Sequence, residues 1–349
     1  MFSNKKKQIS IIGSGMAGLA AGALLTSKGY TVRIFEQNYL PGGCSSSYWR
    51  KGFVFEAGAT TLVGFDTNQP LAFLAKETGI EIPRLTLELP MQVHLLDGTT
   101  ISRYQDSGEW LAEAERCFGT KGQAAFWKFC KKVSDFVWRT STAQRFFPPE
   151  RPADLLEALK AVKWDQPLYA SLSLMSTMQL LSWFGLDTNK SFVAFVNQQL
   201  IITAQNTANE VNALFGAAAL CYTNYENNYV MGGLINLVQP YCDYIAQKGG
   251  EVLLRHSIDK VEDRAEGGHI IHTKKQGTFE TDVVVFAIPA NNVVEIYEPA
   301  KPHLQLMEGE QLASAFQMGI GFKPHRNYES LHHQVHLESQ LVGVGAKSI

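Results

Sequence analysis

The sequence predicts an α/β fold in which a parallel-sheet half is interrupted by a β-hairpin and a mainly helical insertion, then resumed. Three observations predict it. Gln8–Ile12, Met16–Ser27 and Thr31–Glu36 read as strand, helix and strand around a glycine-rich turn at Gly13–Gly18. Met91–Tyr104 alternates around Asp97-Gly98, and from Gly108 to about Leu220 the pattern is mostly helical. From Gly249 strand patterns return.

A βαβ opening implies a parallel sheet with a right-handed crossover. Gly29 stops the first helix, and the helical insertion is expected to break at "FFPPERP", Phe146–Pro152. The stretch "GGEVLLRHSIDKVED" reads as a strand, "GHIIHTKKQGTFETD" as a hairpin, and the continuous apolar run of Asp282–Pro289 as a buried strand. Gln166–Leu186 carries no charge and is long enough by count to span a bilayer. Its Ser171, Ser173, Ser176, Thr177, Gln179 and Ser182 suit a buried helix, or the wall of an apolar cavity, better than a lipid-facing one.

The chain has 349 residues, about two domains' worth, with 45% hydrophobic and 18% charged residues, an ordinary globular balance. A net charge of −2 gives no electrostatic case for binding nucleic acid. "MFSNKKKQIS" is basic without an apolar core, so a secretory signal is not expected. Cys44, Cys117, Cys130, Cys221 and Cys242 are dispersed and form no CxxC pair, which points to reduced thiols in a cytoplasmic protein rather than a disulfide framework or a zinc site.

"IIGSGMAGLAAG" supplies Gly13, Gly15 and Gly18 as GxGxxG between a strand and a helix. The first glycine serves the tight turn, the second the approach of a pyrophosphate, and the third close packing of helix on strand. The helix start at Ser14, Met16 and Ala17 offers unpaired N–H groups to phosphates. Glu36 ends the next strand 21 residues after Gly15, placed to accept hydrogen bonds from ribose hydroxyls, with Gln37 beside it. This is a Rossmann-type dinucleotide fingerprint. "QNYLPGG" follows, and Gly42-Gly43 permits a second close backbone approach, which favours FAD over NAD. Cys44 and Ser45 then stand where many flavin enzymes carry an arginine facing the pyrophosphate.

Taken together, "GSGMAGLAAGALLTSKGYTVRIFEQNYLPGGCSSSYWRKGFVFEAGATTLVGFD" resembles the phytoene desaturase, carotenoid isomerase and retinol saturase group of amine-oxidase-like flavoproteins. It is most similar to the carotenoid C-3',4'-desaturase-like branch, on "GGC", the "GF.F..GAT" run and "VNQQLIITAQNTANEVNALFGAAAL". The resemblance covers about Gln8–Leu331 and extends to "VMGGLINLVQPYCDYIAQKGGEVLLRHSIDKVED". It implies that Gly232 and Gly233 lie near the substrate-domain junction and that Ile258 presents its backbone to the adenine. It also implies that Gly58, Ala59 and Thr60 run close to the isoalloxazine. A discontinuous FAD-binding domain over 1–75 and 225–300, with a substrate domain over 76–224 and 301–349, is the organisation it suggests. Family members run longer, with a C-terminal glycine-rich segment, so the chain is expected to be C-terminally incomplete.

The implied chemistry is desaturation of a carotenoid or other polyene lipid. The cofactor carries the hard step, and the protein supplies a dry, elongated pocket and orientation. Neither a catalytic base nor an electron acceptor is nominated. A flavin-dependent isomerase or saturase, a non-catalytic flavin- or lipid-binding remnant and an amine oxidase are the alternatives. In "FWKFCKKVSDFVWR", Phe126, Phe129, Cys130, Val133, Phe136 and Val137 recur at helical spacing, with Lys128, Lys131, Lys132 and Arg139 on other faces. Such a helix either rests on an anionic membrane, as a peripheral contact, or packs its stripe into the substrate domain. "HHQVH", with His332, His333 and His336, has no acidic or cysteine partner nearby, so no metal site is assigned there. His94 and His256 are read as structural.

Overall fold

A computed structural model describes residues 7–143, 152–153, 156, 169, 171–308 and 316–337. The chain divides into two compact units, one of Met1–Leu62, Phe73–Leu85 and Tyr229–Lys323, the other of Val63–Ala72, Thr86–Asn228 and Pro324–Ile349. In chain order the elements begin with β1 (Gln8–Ile12), α1 (Met16–Ser27), β2 (Thr31–Phe35), β3 (Ser47–Arg50) and β4 (Phe53–Glu56). Next come α2 (Pro70–Thr78), β5 (Arg84–Thr86), β6 (Met91–His94), β7 (Thr100–Arg103), α3 (Ser107–Phe118) and α4 (Gln123–Ala143). The helical stretch continues with α5 (Thr177–Trp183), α6 (Lys190–Ala204) and α7 (Ala213–Leu220). After β8 (Asn228–Val230) and α8 (Ile235–Gln247) come β9 (Glu251–Leu253), β10 (Ile258–Asp263), β11 (His269–Thr273), β12 (Thr278–Thr281), β13 (Val283–Phe286), α9 (Ala290–Ile296) and β14 (His333–Val335).

The first unit is built on a parallel sheet in the order β13-β1-β2-β9. β1 and β2 are central and almost wholly apolar inward, with Ile11, Ile34 and Phe35 buried to within 1%. Gly22 of α1 lies under Ile34 and Ile245, where a Cβ would meet both side chains at 2.8–3.0 Å, so helix and sheet approach closely. A separate antiparallel sheet, β10-β11-β12, packs its Ile258, Val261 and Ile271 onto Ile12 and Phe35.

Two expectations need correcting here. Residues 249–263 are not one strand: the chain turns at Arg255, with φ 59°, so β9 and β10 belong to different sheets. Asp282–Pro289 holds β13, but as the sheet's edge, which leaves Val283 37% exposed. Residues 316–322 run extended across the β3–β4 hairpin. Gly319 and Gly321 lie on the Phe55 and Phe53 rings, while Phe316, Met318, Ile320 and Phe322 are exposed.

The second unit packs α3, α4, α6 and α7 against the β6–β7 hairpin and β14. Asp97-Gly98 makes the hairpin turn, with Gly98 at φ 85°, a backbone shape that suits glycine. Its core is aromatic. Trp110 meets Trp127 edge-on at 5.0 Å between centroids, and Phe118 meets Phe192 likewise at 5.0 Å. The apolar stripe of α4 belongs to this core. Phe126, Cys130 and Val133 are fully buried and Phe136 is 6% exposed, so packing rather than lipid occupies that face. Of the buried helix or cavity wall expected over 166–186, the described part holds a 3-10 turn at Ser171–Leu174 and the short α5, with Leu174 exposed; Ser176 and Gln179 form a capping box that starts α5 afresh. Part of that stretch, most of Phe146–Pro152 and the terminal 338–349 lie outside the described residues. Among the described residues no helix is long and apolar enough to cross a membrane.

Candidate cofactor site

Everything at this site grows from the C-terminal ends of β1 and β2. Gly13 leaves β1 with φ 104° and donates its N–H to Phe35 O at 2.8 Å. A Cβ there would stand 2.6 Å from Ala287 O, where the chain leaves β13, so both the turn and its neighbour demand glycine. Gly18, in the first turn of α1, sits on the Gly13 carbonyl, which a Cβ would approach to 2.0 Å. Gly15 is different. It has φ −60° and nothing within 4 Å of where a Cβ would be. Met16 follows half-buried and Ala17 exposed.

Glu36 is buried to 6% exposure and tied to the turn. Its Oε2 accepts from Ser14 N at 3.0 Å and Ser14 Oγ at 2.7 Å, and its Oε1 accepts from Asn38 N at 2.9 Å. A carboxylate has roughly four lone-pair positions, so about one stays free for a ribose hydroxyl. Gln37 beside it is exposed. The main chain after β9 closes this side: His256 N donates to Glu36 O at 2.7 Å and Arg255 N to Asn38 O at 2.9 Å. Two residues later Ile258 pairs with Thr273, its side chain in the core beside Ile12 and Phe35.

The paired glycines come back to the first loop. Gly42 (φ 106°) donates to Ser14 O at 2.8 Å and bridges Gly15, and Gly43 faces the Gly15 Cα. Cys44 and Ser45 complete a short 3-10 turn. Gly58 lies against Cys44, since a Cβ would be 3.1 Å from Cys44 O, and Ala59 N donates to that same oxygen at 3.2 Å. Gly43, Cys44, Gly58, Ala59 and Thr60 are all exposed and form one open rim; Thr60 continues it without a bond to either loop. The structure therefore brings Gly13–Gly15 and Gly42–Ser45 together as two abutting loops, with Gly58 and Ala59 against the second. Between them the Gly15 face is bare, and the N-terminus of α1 points its free amides outward. The free amides, the bare Gly15 face and the remaining Glu36 acceptor suit a pyrophosphate with a ribose.

Sequence reasoning missed what holds the second loop. Glu56, at the end of β4, accepts from Leu234 N at 3.2 and 3.1 Å and from Ser47 Oγ at 2.6 Å. Ser47 Oγ accepts in turn from Ile235 N at 3.0 Å. The pair caps α8 in place of an N-cap side chain of its own, because Leu234 at that position has none. Gly233 (φ 100°) is required because a Cβ would come 2.6 Å from Ser47 Oγ. Val238, one turn into α8, packs against Gly42. The signal in the sequence was a glutamate in an otherwise apolar "GFVFEAGAT", opposite a serine three residues beyond Cys44.

The histidines fall elsewhere. His94 Nε2 lies 3.1 Å from His333 Nδ1 across the β6–β14 pairing, with Thr100 Oγ1 3.1 Å from His94 Nδ1. Among the described residues no group of three or more His, Cys, Asp or Glu side chains is placed to hold a metal.

The family model for flavin containing amine oxidoreductases matches residues 16–342. The 4,4'-diapophytoene desaturase (4,4'-diapolycopene-forming) of a Methylomonas species is 25% identical over 338 residues, covering 94% of this chain and 63% of that protein. The all-trans-retinol 13,14-reductase of Danio rerio is 25% identical over 262 residues, covering 72% and 42%. A chloroplastic prolycopene isomerase of an Oncidium hybrid is 21% identical over 270 residues, covering 72% and 43%. The chain thus spans less than two thirds of the length of each of these relatives. A fatty acid isomerase from P. acnes superposes with a TM-score of 0.56 at 17% identity over 88% of this chain and 63% of its own; a putrescine oxidase bound to putrescine gives 0.54 at 20% over 84% and 61%. At such identities these structures speak to the fold alone.

Proposed function

Because the chain belongs to the family of flavin containing amine oxidoreductases, we propose that its first unit holds FAD between the two glycine loops and that the protein desaturates a polyene lipid of the carotenoid class. It is an FAD-dependent oxidoreductase related to carotenoid desaturases and isomerases. Supporting the site is the bare Gly15 face, which lies between amides of the α1 N-terminus and the backbone of Gly43. Only glycine leaves room there for a diphosphate to touch the main chain.

In this reading the α1 amides and Gly43 bind the diphosphate, and Ser14 with Asn38 fixes the Glu36 carboxylate for the adenosine ribose. Cys44, Ser45, Gly58 and Ala59 offer small side chains and backbone where a flavin ring would pass. Bound FAD supplies the hydride acceptor, at its N5. The protein's part is then to orient an allylic carbon and keep water away. Gly43, Gly58 and Ala59 meet the cofactor with backbone alone, which suits that role, and Cys44 and Thr60 are the rim's only side chains with an exchangeable proton.

Desaturation is favoured over isomerisation by one comparison: the desaturase matches 94% of this chain and the isomerase 72%. Co-expression in bacteria that accumulate an acyclic carotenoid, followed by pigment chromatography, tests it. Products with longer chromophores support desaturation. A cis-to-trans change alone points to an isomerase, and unchanged pigments from protein that binds FAD sink the assignment of substrate.

A further inference from the structure

We propose that the second unit carries a binding site for an anionic amphiphile, a single phosphate-type head group on an apolar body, in the hollow between α3 and α4. The hollow has a volume of about 460 Å³. Its floor is apolar, formed by the buried Trp110 and Trp127 with Leu111 beside them; the exposed Ala124, Lys128 and Lys132, with Lys131, Ser107, Gly108 and Asn224, complete its lining. These lysines recur at i, i+3 and i+4 on one face of α4, so the helix itself presents them together. That face is what remains of α4 once its apolar stripe has gone into the core.

Charge favours an anion here. Lys131 is paired with Asp135 at 2.5 Å and lies over the Tyr225 ring at 4.5 Å. Lys128 and Lys132 have no acidic partner among the described residues and are exposed. Below the floor lies a further cation. Arg103 is fully buried, its guanidinium carbon 3.6 Å from the centre of the Trp110 ring. It donates to Leu220 O at 2.9 Å and to Thr223 Oγ1, meets no carboxylate among the described residues, and has no hydrogen-bond partner at Nε and Nη1 there. Trp110, itself 1% exposed, also has an unpartnered indole N–H. The nearest carboxylates at the α3 end are Asp106, engaged in capping with Gly108 N and Glu109 N at 2.8 and 2.9 Å, and the exposed Glu109. Two hydrogen bonds and the Trp110 ring compensate this buried cation only in part, and a nearby anion offsets more of its cost. An apolar floor under a cationic rim discriminates against a bare inorganic ion and in favour of one joined to a hydrocarbon body.

The site stands apart from the flavin reading, because it rests on residues of the second unit alone. Isothermal titration of the purified protein with dodecyl phosphate, kept below its micellar concentration, is expected to show saturable one-to-one binding that weakens as salt rises. Lys128→Glu/Lys132→Glu, both changes at exposed positions, should weaken it at least tenfold while leaving the melting temperature unchanged. Inorganic phosphate alone and vesicles of phosphatidylglycerol separate the sources. Tight binding of phosphate itself overturns the apolar half of the proposal, and vesicle binding lost in the double variant assigns the head group to a lipid surface. Dodecanol binding as well as dodecyl phosphate, or a double variant that binds like the parent, overturns the site altogether.

Discussion

Two glycines three residues apart separate folding from cofactor binding. For Gly15→Ala the new methyl group meets no atom within 4 Å, and φ −60° is open to any residue. Replacing glycine by alanine at an N-cap costs about 0.5–1 kcal/mol, and the stiffer unfolded chain returns about 0.4–1 kcal/mol. The stability of Gly15→Ala is therefore expected within about 0.5 kcal/mol of the parent. Gly18→Ala brings its methyl 2.0 Å from the Gly13 carbonyl and 3.1 Å from the Ala287 side chain. Both contacts are with packed atoms, so the backbone must shift, at a cost of about 2–4 kcal/mol. FAD affinity should behave differently. The Gly15 methyl stands where the diphosphate has to approach, and a loss of contact worth about 1.4 kcal/mol or more weakens binding at least tenfold. Urea midpoints of the apoproteins, and FAD titration followed by flavin absorbance, read the two quantities separately. A Gly15→Ala protein that keeps parental FAD affinity refutes the placement of the diphosphate. One that loses stability as Gly18→Ala does refutes the claim that the Gly15 face is bare.

Four further outcomes follow from other contacts. Glu56→Ala, which leaves Leu234 N and the Ser47 hydroxyl proton without their acceptor, should cost about 2–3 kcal/mol and lower FAD affinity; a urea double-mutant cycle with Ser47→Ala should show a coupling of about 1 kcal/mol. Burial and the neighbouring His333 hold His94 below its ordinary pKa, and burial does the same to His332. The unfolded chain thus binds protons first, so stability should fall as pH drops from the ordinary histidine range through the lower folded values; a urea midpoint less pH-dependent in His94→Gln checks this. Burial lowers the Arg103 pKa to about 10, which leaves the side chain charged at neutral pH; Arg103→Met should be neutral or stabilising by about 1 kcal/mol in urea, since an apolar side chain of similar length needs no partner. Cys44 is exposed on the rim, and Cys44→Ser should retain FAD affinity within about twofold by titration, because only a small side chain is required there.

The βαβ unit was legible to the residue at β1 and α1 because three local signals agree there: a β-branched run, glycine spacing and an alanine-rich helix ended by Gly29. The Asp97-Gly98 hairpin was legible for a similar reason. What could not be read locally was anything fixed by distant chain. The split of residues 249–263 into two strands depends on Arg255 adopting a left-handed backbone to donate to Asn38 O, a contact no window of sequence contains. The exposure of β13 reflects its place at the edge of the sheet, not its composition. Likewise the glycines of the candidate site announced themselves, while Glu56 and Ser47, which hold α8 beneath them, are ordinary residue types 178 and 188 positions from the amides they cap.

The same remoteness bears on how the molecule is made. Gln8, at the start of β1, finds Asp282, just before β13, across 274 residues of chain. At a synthesis rate of about 5–20 residues per second, β1 waits roughly 14–55 s on the ribosome before its neighbour exists. Throughout that interval one edge of Ile9, Ile11 and Ile12 has no strand beside it, while the helical insertion is complete long before. The helices of the second unit are all made within that interval, but its β14 follows β13, so both units wait for strands from late in the chain, and the nascent nucleotide loop waits with one sheet edge open.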